Sequence, residues 1–326
     1  MFTPALPLVL ITNAVPAAAL APLDGIATVV QGPAGGDLMP RDEVLRLAPG
    51  LAGIINQAEL RVDAELLARA PQLRIVANVS IGVDNLDLPA MTSRGVYATN
   101  TPDAFVDSTA DFTLGLLLTM ARRIHAADRH VRAGEWRGFQ PGVWDGALLS
   151  GKTLGIIGYG AIGRAVARRA TAFGLRIVHY QRTPDGSADY ADLESLLAQS
   201  DFVTLHLPLN AESRGLMSAA RLARMKRGAC LINAARGLVV DEAALVAALQ
   251  SGHLAGAALD VFENEPRVHP GLCALPNVVL TPHIAGGTRE SRHHARHTAA
   301  TNVASVLRGL PPVNRLNFPV WPHFPR

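Results

Sequence analysis

The sequence predicts an α/β protein built from two doubly wound parallel sheets. Two observations carry this prediction: apolar runs alternate with helical patterns along almost the whole chain, and one glycine-rich turn falls near its middle. Continuous Val, Ile and Leu runs separated by helices are typical of parallel strands that helices cover on both faces. A chain of 326 residues is also long enough for two domains with buried cores.

Eleven segments read as strands. Five precede the turn NTPDAF at 100–105, namely LVLIT, ATVV, GIIN, LRIVANVS and GVYATN, and six follow it, namely TLGIIG, LRIVHY, DFVTLHL, ACLINAA, AGAALDV and NVVLTPH. A long helical pattern, DSTADFTLGLLLTMARRIHAADRHVRAG, joins the two groups, and another lies in HIAGGTRESRHHARHTAATNVASVL. We expect both to cross between domains. The simplest arrangement is an outer domain of residues 1–100 and 290–326, with a cofactor domain of residues 101–289 inserted and the chemistry in the cleft.

Composition excludes several classes of protein. Apolar residues make up 49% and charged residues 17%, the net charge is +3, and no basic run could follow a phosphate backbone, so nucleic acid is not expected as a partner. Cys230 and Cys273 form no pattern of a disulfide framework or a cysteine metal site. The apolar N-terminus lacks a basic region and is broken by prolines, so it predicts a first strand rather than a signal peptide. We therefore expect a cytoplasmic protein without a membrane partner.

The segment GYGAIG, Gly158–Gly163, matches G-x-G-x-x-G in the context that this motif requires. It follows the apolar strand TLGII and opens a helix with one apolar face. Gly158 allows the tight turn, Gly160 lets the backbone approach a pyrophosphate, and Gly163 lets helix and strand pack closely. The alternative is a glycine turn that is only structural. We predict a Rossmann domain that binds a nicotinamide dinucleotide, with cofactor contacts from Gly158, Gly160, Ala161, Ile162 and Gly163.

The end of the next strand lacks the acid that usually holds the adenosine ribose. The expected position holds Gln181, followed by Arg182 and Thr183. Gln181 removes the repulsion of a 2′-phosphate, Arg182 can pair with that phosphate, and Thr183 adds a hydroxyl. This favours NADP(H), with NAD(H) possible. Two alternatives stay open: Arg182 is a solvated surface residue, or Asp185 replaces the missing acid from beyond Pro184.

Three charged residues follow late strands and together predict an active site. Arg236 comes after CLINAA, Glu265 after ALDVFEN, and His283 after VVLTP. The carboxyl ends of parallel strands line one crevice, so these side chains are expected to meet. Each alone could be an exposed loop residue. Together they suit reduction of a 2-oxo acid: Arg236 binds the carboxylate and polarises the carbonyl, His283 donates a proton, and Glu265 raises the pKa of His283.

The motifs GYGAIG, NAARG, ALDVFENEP and TPHIAG, in this order, resemble those of the D-isomer-specific 2-hydroxyacid dehydrogenase family. The resemblance covers essentially the whole chain and implies a discontinuous, flavodoxin-like substrate domain. It also implies the roles given above for Arg236, Glu265 and His283. The YQRT segment resembles the NADPH-dependent glyoxylate and hydroxypyruvate reductases of this family. Formate dehydrogenases of the same superfamily pair their histidine with glutamine, so Glu265 disfavours that branch.

The resemblance assigns further residues. It implies that backbone amides in NVSIGVDNLD hold the substrate carboxylate, so that the substrate contacts are Ser80, Ile81, Gly82, Arg236 and His283. It adds cofactor contacts at Thr109, His206, Pro208, Ala234 and Asp260. It also implies a homodimer through the long crossing helix, in which Trp136 and Trp144 either enter a neighbouring subunit's site or pack the dimer interface. The sequence leaves open whether the C-terminal tail reaches that site.

Three alternatives concern the substrate, the class of protein and a metal site. The same machinery could reduce a longer sugar-derived acid of the 2-ketogluconate type, since specificity depends on the outer-domain loops. The protein could instead be a protein-interaction module that senses a dinucleotide and is not an enzyme. Measured catalytic turnover would exclude this alternative. The HxxxH spacing of His293 and His297 could hold a metal on a helix, but Arg292 and Arg296 would repel a cation and the reaction needs none. We predict no metal site.

Overall fold

The computed structural model describes residues 5–57 and 59–318. The chain divides into two compact units, one from Met1 to Phe105 and from Gly287 to Arg326, which we call the split unit, and one from Val106 to Gly286, which we call the central unit. Each unit is built on a parallel sheet, so the predicted fold class is confirmed. No helix within the described residues is long and apolar enough to span a bilayer.

Every predicted strand segment contains a strand. The strands are Leu8–Ile11 (β1), Thr28–Gln31 (β2), Leu51–Asn56 (β3), Ile75–Asn78 (β4), Tyr97–Thr99 (β5), Thr153–Ile157 (β6), Arg176–Tyr180 (β7), Phe202–Leu205 (β8), Cys230–Asn233 (β9), Gly256–Leu259 (β10) and Val278–Leu280 (β11). The α-helices are Arg41–Leu47 (α1), Ala64–Arg69 (α2), Leu88–Ser93 (α3), Val106–Ala121 (α4), Ile124–Arg132 (α5), Ala161–Ala172 (α6), Leu193–Gln199 (α7), Ala219–Arg224 (α8), Glu242–Gln250 (α9), Pro270–Cys273 (α10) and Arg289–Leu307 (α11). Short 3-10 helices span Ala17–Leu23, Ala48–Gly50 and Gly237–Val239.

The sheet of the split unit has the strand order β2-β1-β3-β4-β5, with every pair parallel. This is the flavodoxin-like order that was predicted. Side chains alternate between two buried clusters: Val9 and Ile11 lie in one, and Leu10 lies in the other. Burial on both faces explains why the strands read as continuous apolar runs.

The sheet of the central unit has the order β7-β6-β8-β9-β10-β11, again all parallel. Outside β7, a single parallel bridge joins His179 to Tyr190, where the usual Rossmann order has a full strand. The order reverses between β6 and β8, so the crevice at the carboxyl ends of these strands is where ligands bind in such sheets.

The single long helical pattern predicted before the glycine turn is wrong in one respect, because it forms two helices. The backbone of Arg123 is left-handed, with φ of 54°, and separates α4 from α5. The carbonyl of Ala121 accepts a hydrogen bond of 2.7 Å from the amide of Ala147, and Arg123 donates to the carbonyl of Val143 at 2.8 Å. The returning chain therefore occupies the Ala121 carbonyl, which a continuous helix would use as an acceptor.

The turn after β11 is fixed by Asp260, at the end of β10. Asp260 is fully buried, and its carboxylate accepts hydrogen bonds from the Thr281 hydroxyl (2.6 Å) and from the amides of Ile284 (2.9 Å) and Ala285 (2.8 Å). Its carbonyl accepts from the amide of His283 at 2.8 Å. His283 is left-handed, with φ of 54°, a conformation that a non-glycine residue adopts only when its surroundings impose it. Asp260 supplies that constraint.

We expect Asp260→Ala to lower the free energy of unfolding by about 2–3 kcal/mol, because buried donors would lose their acceptor. Chemical denaturation followed by circular dichroism measures this difference. Asp24→Ala is the control, since Asp24 is exposed and should change stability by less than about 0.5 kcal/mol. Equal stability of the two variants would contradict the constraint assigned to Asp260.

Candidate active site

The glycine turn, Gly158–Gly163, has the steric properties predicted for it. Gly158 has φ of +98°, and a Cβ atom there would collide with the carbonyl oxygen of His206. A Cβ atom at Gly163 would collide with the carbonyl oxygen of Gly158. No neighbouring atom lies within 4 Å of the Cβ position at Gly160, the N-cap residue of α6. Two glycines are therefore required by packing, and the third faces open space.

The residues around this turn fit a dinucleotide. The first amide groups of a helix have no intrahelical acceptor, and the start of α6 is open to a ligand. Burial lowers the pKa of His206 to about 4, so its imidazole is neutral at pH 7. Its Nε2 bonds the Thr204 hydroxyl at 3.0 Å, while its buried Nδ1 has no partner among the described residues. The open start of α6 is a place where the pyrophosphate of a dinucleotide would fit.

The segment after β7 presents a mixed polar surface. Gln181 is half-buried, and Arg182 and Thr183 are exposed. Arg182 donates to Glu212 at 3.2 Å, in an ion pair whose side chains are 79% and 69% exposed. An ion pair so exposed contributes little to stability, so another anion could replace Glu212 as the partner of Arg182.

His283 and Glu265 form a hydrogen-bonded pair at the carboxyl ends of β10 and β11. The Nδ1 of His283 donates to Glu265 at 2.8 Å, and the other carboxylate oxygen of Glu265 accepts from the amide of Phe262 at 3.0 Å. The bond to Glu265 raises the pKa of His283, although burial opposes this. Burial disfavours the charged form of Glu265, but the bond from His283 and nearby positive charge lower the pKa of Glu265 overall.

Arg236 lies beside this pair. A Cβ atom at Gly237 would collide with the carbonyl group of Phe262, so the turn after β9 packs directly on the loop that carries Glu265. The charge of Arg236 lowers the pKa of both Glu265 and His283. The Arg236 side chain is half-buried and donates to the carbonyl of Ala235 at 2.8 Å. The three residues that the sequence singled out are thus brought together.

A pair of carboxylates that sequence reasoning missed braces the Glu265 loop. The amide of Glu263 donates to Glu242 at 2.8 Å, and the amide of Glu242 donates to Glu263 at 2.9 Å. Glu242 is only 4% exposed at the start of α9, and burial raises the pKa of Glu242. The only sequence signal is an Asp-Glu pair at a helix start, which is ordinary capping. In the fold it ties α9 to the loop that presents Glu265.

An apolar pocket adjoins His283 within the central unit. It is formed by side chains from the Glu265 loop and from the end of β11, namely Phe262, Glu265, Pro266, Val268, Leu280, Thr281, Pro282 and His283. Thr281 was also missed from the sequence. It lies in this pocket and donates to Asp260, so it links the pocket to the turn that holds His283.

The loop Ser80–Gly82 follows β4 in the split unit, and hydrogen bonds to its carbonyl oxygens fix its conformation. The carbonyl of Ser80 accepts from Thr101 at 2.9 Å, and that of Ile81 accepts from the Asn100 side chain at 2.9 Å. The carbonyl of Gly82 accepts from the Ser80 hydroxyl at 2.7 Å. The backbone amides of these three loop residues have no acceptor among the described residues. Three amides without acceptors form a surface suited to an anion.

The remaining predicted cofactor contacts lie in helices and loops of the central unit, and their roles stay predictions. Thr109 is buried in α4, Pro208 is exposed after β8, and Ala234 is half-buried after β9. Trp136 is 61% exposed. Trp144 instead packs in its own chain, against His130 and under Arg123.

The histidines and cysteines that could suggest a metal site or a disulfide form neither arrangement within the described residues. Within the described residues, no three His, Cys, Asp or Glu side chains converge as a metal site would require. The rings of His293 and His297 stack on each other with centroids 6.2 Å apart. Cys230 and Cys273 are both free thiols. Of the predicted tail, residues 319–326 lie outside the described residues.

Comparison with known proteins identifies relatives over most of the chain. The family model of the D-isomer specific 2-hydroxyacid dehydrogenase NAD binding domain matches residues 114–285. The glyoxylate reductase of Thermococcus litoralis is 44% identical over 288 residues, which cover 85% of this chain and 87% of that protein.

Solved structures agree with this match. The TT0316 protein from Thermus thermophilus superposes with a TM-score of 0.91 at 43% identity, covering 95% of this chain and all of that chain. An NADPH-dependent glyoxylate/hydroxypyruvate reductase from Sinorhizobium meliloti, solved with NADP and malonate, has a TM-score of 0.83 at 32% identity, covering 96% and 97% of the two chains. The chain belongs to the D-isomer specific 2-hydroxyacid dehydrogenase family and is an NAD(P)-dependent oxidoreductase that acts on the 2-oxo acid and 2-hydroxy acid pair.

Proposed function

We propose that this protein reduces a small 2-oxo acid, glyoxylate or hydroxypyruvate, to the D-2-hydroxy acid with NADPH, and that His283 donates the proton. The observation that carries the proposal is the 2.8 Å bond between His283 and Glu265 beside Arg236. The similarity to relatives named glyoxylate reductase supports the substrate class. Residues 106–286 would hold the cofactor, and the split unit would contribute the substrate loop.

The glycine turn and the start of α6 would hold the pyrophosphate of the cofactor, and the segment after β7 would hold its adenosine end. When bound, the nicotinamide ring supplies a hydride. Gln181 presents no charge that would repel a 2′-phosphate, Arg182 can form a charge-assisted hydrogen bond to it, and Thr183 can donate from its hydroxyl. His206, Ala234 and the remaining predicted contacts are proposed to line the same cofactor.

The residues of the chain divide the work on the substrate. Arg236 binds the carboxylate and polarises the carbonyl, because its guanidinium is always charged. The amides of Ser80, Ile81 and Gly82 are proposed to hold the carboxylate, since they have no other acceptor among the described residues. The Nδ1 proton of His283 is committed to Glu265, so the Nε2 proton is the one that it can give to the carbonyl oxygen.

We predict a kcat/KM with NADPH at least tenfold higher than with NADH when glyoxylate is reduced. Arg182→Ala should lower kcat/KM with NADPH by about 10- to 100-fold and leave that with NADH nearly unchanged, because one or two charge-assisted bonds to the 2′-phosphate are lost. Initial rates of cofactor oxidation, with glyoxylate and then hydroxypyruvate, measure both.

Arg227→Ala is the matched control, since Arg227 is another exposed arginine of the central unit. An NADH preference of the unaltered protein would refute the cofactor assignment. Higher kcat/KM with a 2-ketogluconate-type acid than with either small acid would instead replace the proposed substrate.

We also predict a pH dependence set by His283. Reduction needs the protonated imidazole, so activity is retained below the raised pKa of His283 and lost as pH rises through it. Glu265→Gln removes the carboxylate that raises this pKa, so kcat should fall and its loss should move to lower pH. Glu194→Gln, a surface carboxylate on α7, should leave the profile unchanged. An unshifted profile in Glu265→Gln would exclude the coupling of the two residues.

We further propose a homodimer formed through α5 and the segment that follows it. This stretch exposes several large apolar side chains on one short part of the chain, which indicates a covered surface. They are Ile124, Val131, Trp136, Phe139, Val143 and Leu148.

Phe139 is 90% exposed, and Phe139→Ser should shift the protein from dimer toward monomer in sedimentation velocity at micromolar concentration. Val313→Ser is the control, because Val313 is 79% exposed but lies in the split unit, outside the proposed surface. A monomeric unaltered protein, or a dimer unaffected by Phe139→Ser, would refute this surface as the interface.

A further inference from the structure

Asp185 is the acid nearest in sequence to position 181, where the usual ribose-binding acid is replaced by Gln181. Both oxygens of its carboxylate already accept hydrogen bonds. One oxygen accepts a hydrogen bond from Nε2 of His179 at 3.0 Å. The other accepts from the amide and the hydroxyl of Ser187, at 3.0 Å and 2.8 Å. The bonds from Ser187 and His179 lower the pKa of Asp185, so the group is a carboxylate. It is charged, and these contacts all lie within its own loop and strand.

His179 holds its end of this bond rigidly. Its side chain is 1% exposed, and its backbone lies in β7 with a bridge to Tyr190. Its ring stacks on Tyr159, with centroids 3.7 Å apart and planes 12° apart, and meets the ring of Tyr190 edge-on at 6.0 Å. Since Asp185 accepts at Nε2, the proton lies there, and the buried Nδ1 has no partner among the described residues. Ring stacking, burial and the strand backbone thus hold this imidazole in place.

The position of Tyr159 places this pair beside the cofactor site. Tyr159 is the residue between the first two glycines of the turn Gly158–Gly163. Stacking of His179 on Tyr159 therefore joins the glycine turn to the segment Gln181–Ser187, which we call the specificity loop. A carboxylate released from His179 would lie on a short loop next to the place of the adenosine ribose. There it would accept hydrogen bonds from ribose hydroxyls and would repel a 2′-phosphate.

We propose that His179 is a specificity-determining residue: by binding Asp185 it withholds a carboxylate that would otherwise favour NADH over NADPH. The proposal rests on the NADPH preference stated above. The other acid in reach, Glu212, is paired with Arg182 on the surface and can be displaced by a phosphate. Asp185 differs because its release would leave the buried donor of His179 without an acceptor.

The test is a binding measurement that needs no turnover. Dissociation constants for NADPH and NADH are measured by fluorescence titration on the unaltered protein and on His179→Phe, which keeps a ring against Tyr159 but has no donor. We expect the ratio of the NADH to the NADPH dissociation constant to fall by roughly tenfold in His179→Phe. His179→Gln, which retains an amide donor, should keep the original ratio.

The double variant His179→Phe/Asp185→Asn tests whether the charge of Asp185 causes the change in the ratio of dissociation constants. Because the carboxylate is neutralised, the ratio should return to that of the unaltered protein, while Asp185→Asn alone should change it less than about threefold. Should His179→Phe not fold, Ser187→Ala loosens the same carboxylate from an exposed position and should shift the ratio in the same direction.

The outcomes separate two failures. An unaltered protein that binds NADH as tightly as NADPH refutes the proposed cofactor preference, whatever His179 does. A clear NADPH preference that His179→Phe leaves within twofold refutes the role of His179. A shift that persists in the double variant also refutes it, because packing of the ring, and not the charge of Asp185, would then be responsible.

Discussion

The buried carboxylate of Asp260 is the interaction on which the geometry around His283 depends. A carboxylate without water must be satisfied by protein donors, and here all the donors come from residues 281–285. These bonds offset the cost of the left-handed backbone at His283, about 1–2 kcal/mol for a residue with a Cβ atom. The backbone of His283 is therefore positioned by Asp260, at the end of the neighbouring strand. The orientation of its imidazole is set by the hydrogen bond to Glu265.

Opposing charges set the protonation of the pair. Arg236 disfavours the imidazolium, since its charge lowers the pKa of His283, and burial acts in the same direction. Glu265 prevails because its carboxylate accepts the hydrogen bond of the ring at 2.8 Å. That bond, followed by the bond from the amide of Phe262, lowers the pKa of Glu265 despite burial. The guanidinium of Arg236 and the imidazole of His283 therefore lie close enough for their charges to interact. In the proposed function, the carboxylate of the substrate would relieve the repulsion between Arg236 and the protonated His283, so that substrate and acid would stabilise each other.

Sequence reasoning succeeded where a feature follows from local sterics or from sheet topology. The strands were predictable because burial on both faces makes them apolar throughout, and the glycine turn because Gly158 and Gly163 have no room for a Cβ atom. Arg236, Glu265 and His283 could be grouped because strand ends share an edge. The end of α4 could not be predicted, since it depends on a bond between Ala121 and Ala147. The bracing of Glu263 by Glu242 likewise joins residues that nothing in the sequence connects.

Under the role proposed for His179, the identity of the residue at position 181 is an incomplete guide to cofactor choice. Two carboxylates are available at the specificity loop, Asp185 within it and Glu212 paired with Arg182, and they differ in how easily their present contacts can be broken. Glu212 makes an exposed ion pair, which a phosphate can replace at little cost because water screens both partners. Asp185 binds a buried imidazole, and releasing it would leave that donor unsatisfied at about 1–3 kcal/mol. If His179 acts as we propose, recognition of the ribose depends on which acid is unengaged, and therefore on His179 inside the strand as much as on Gln181 at its end.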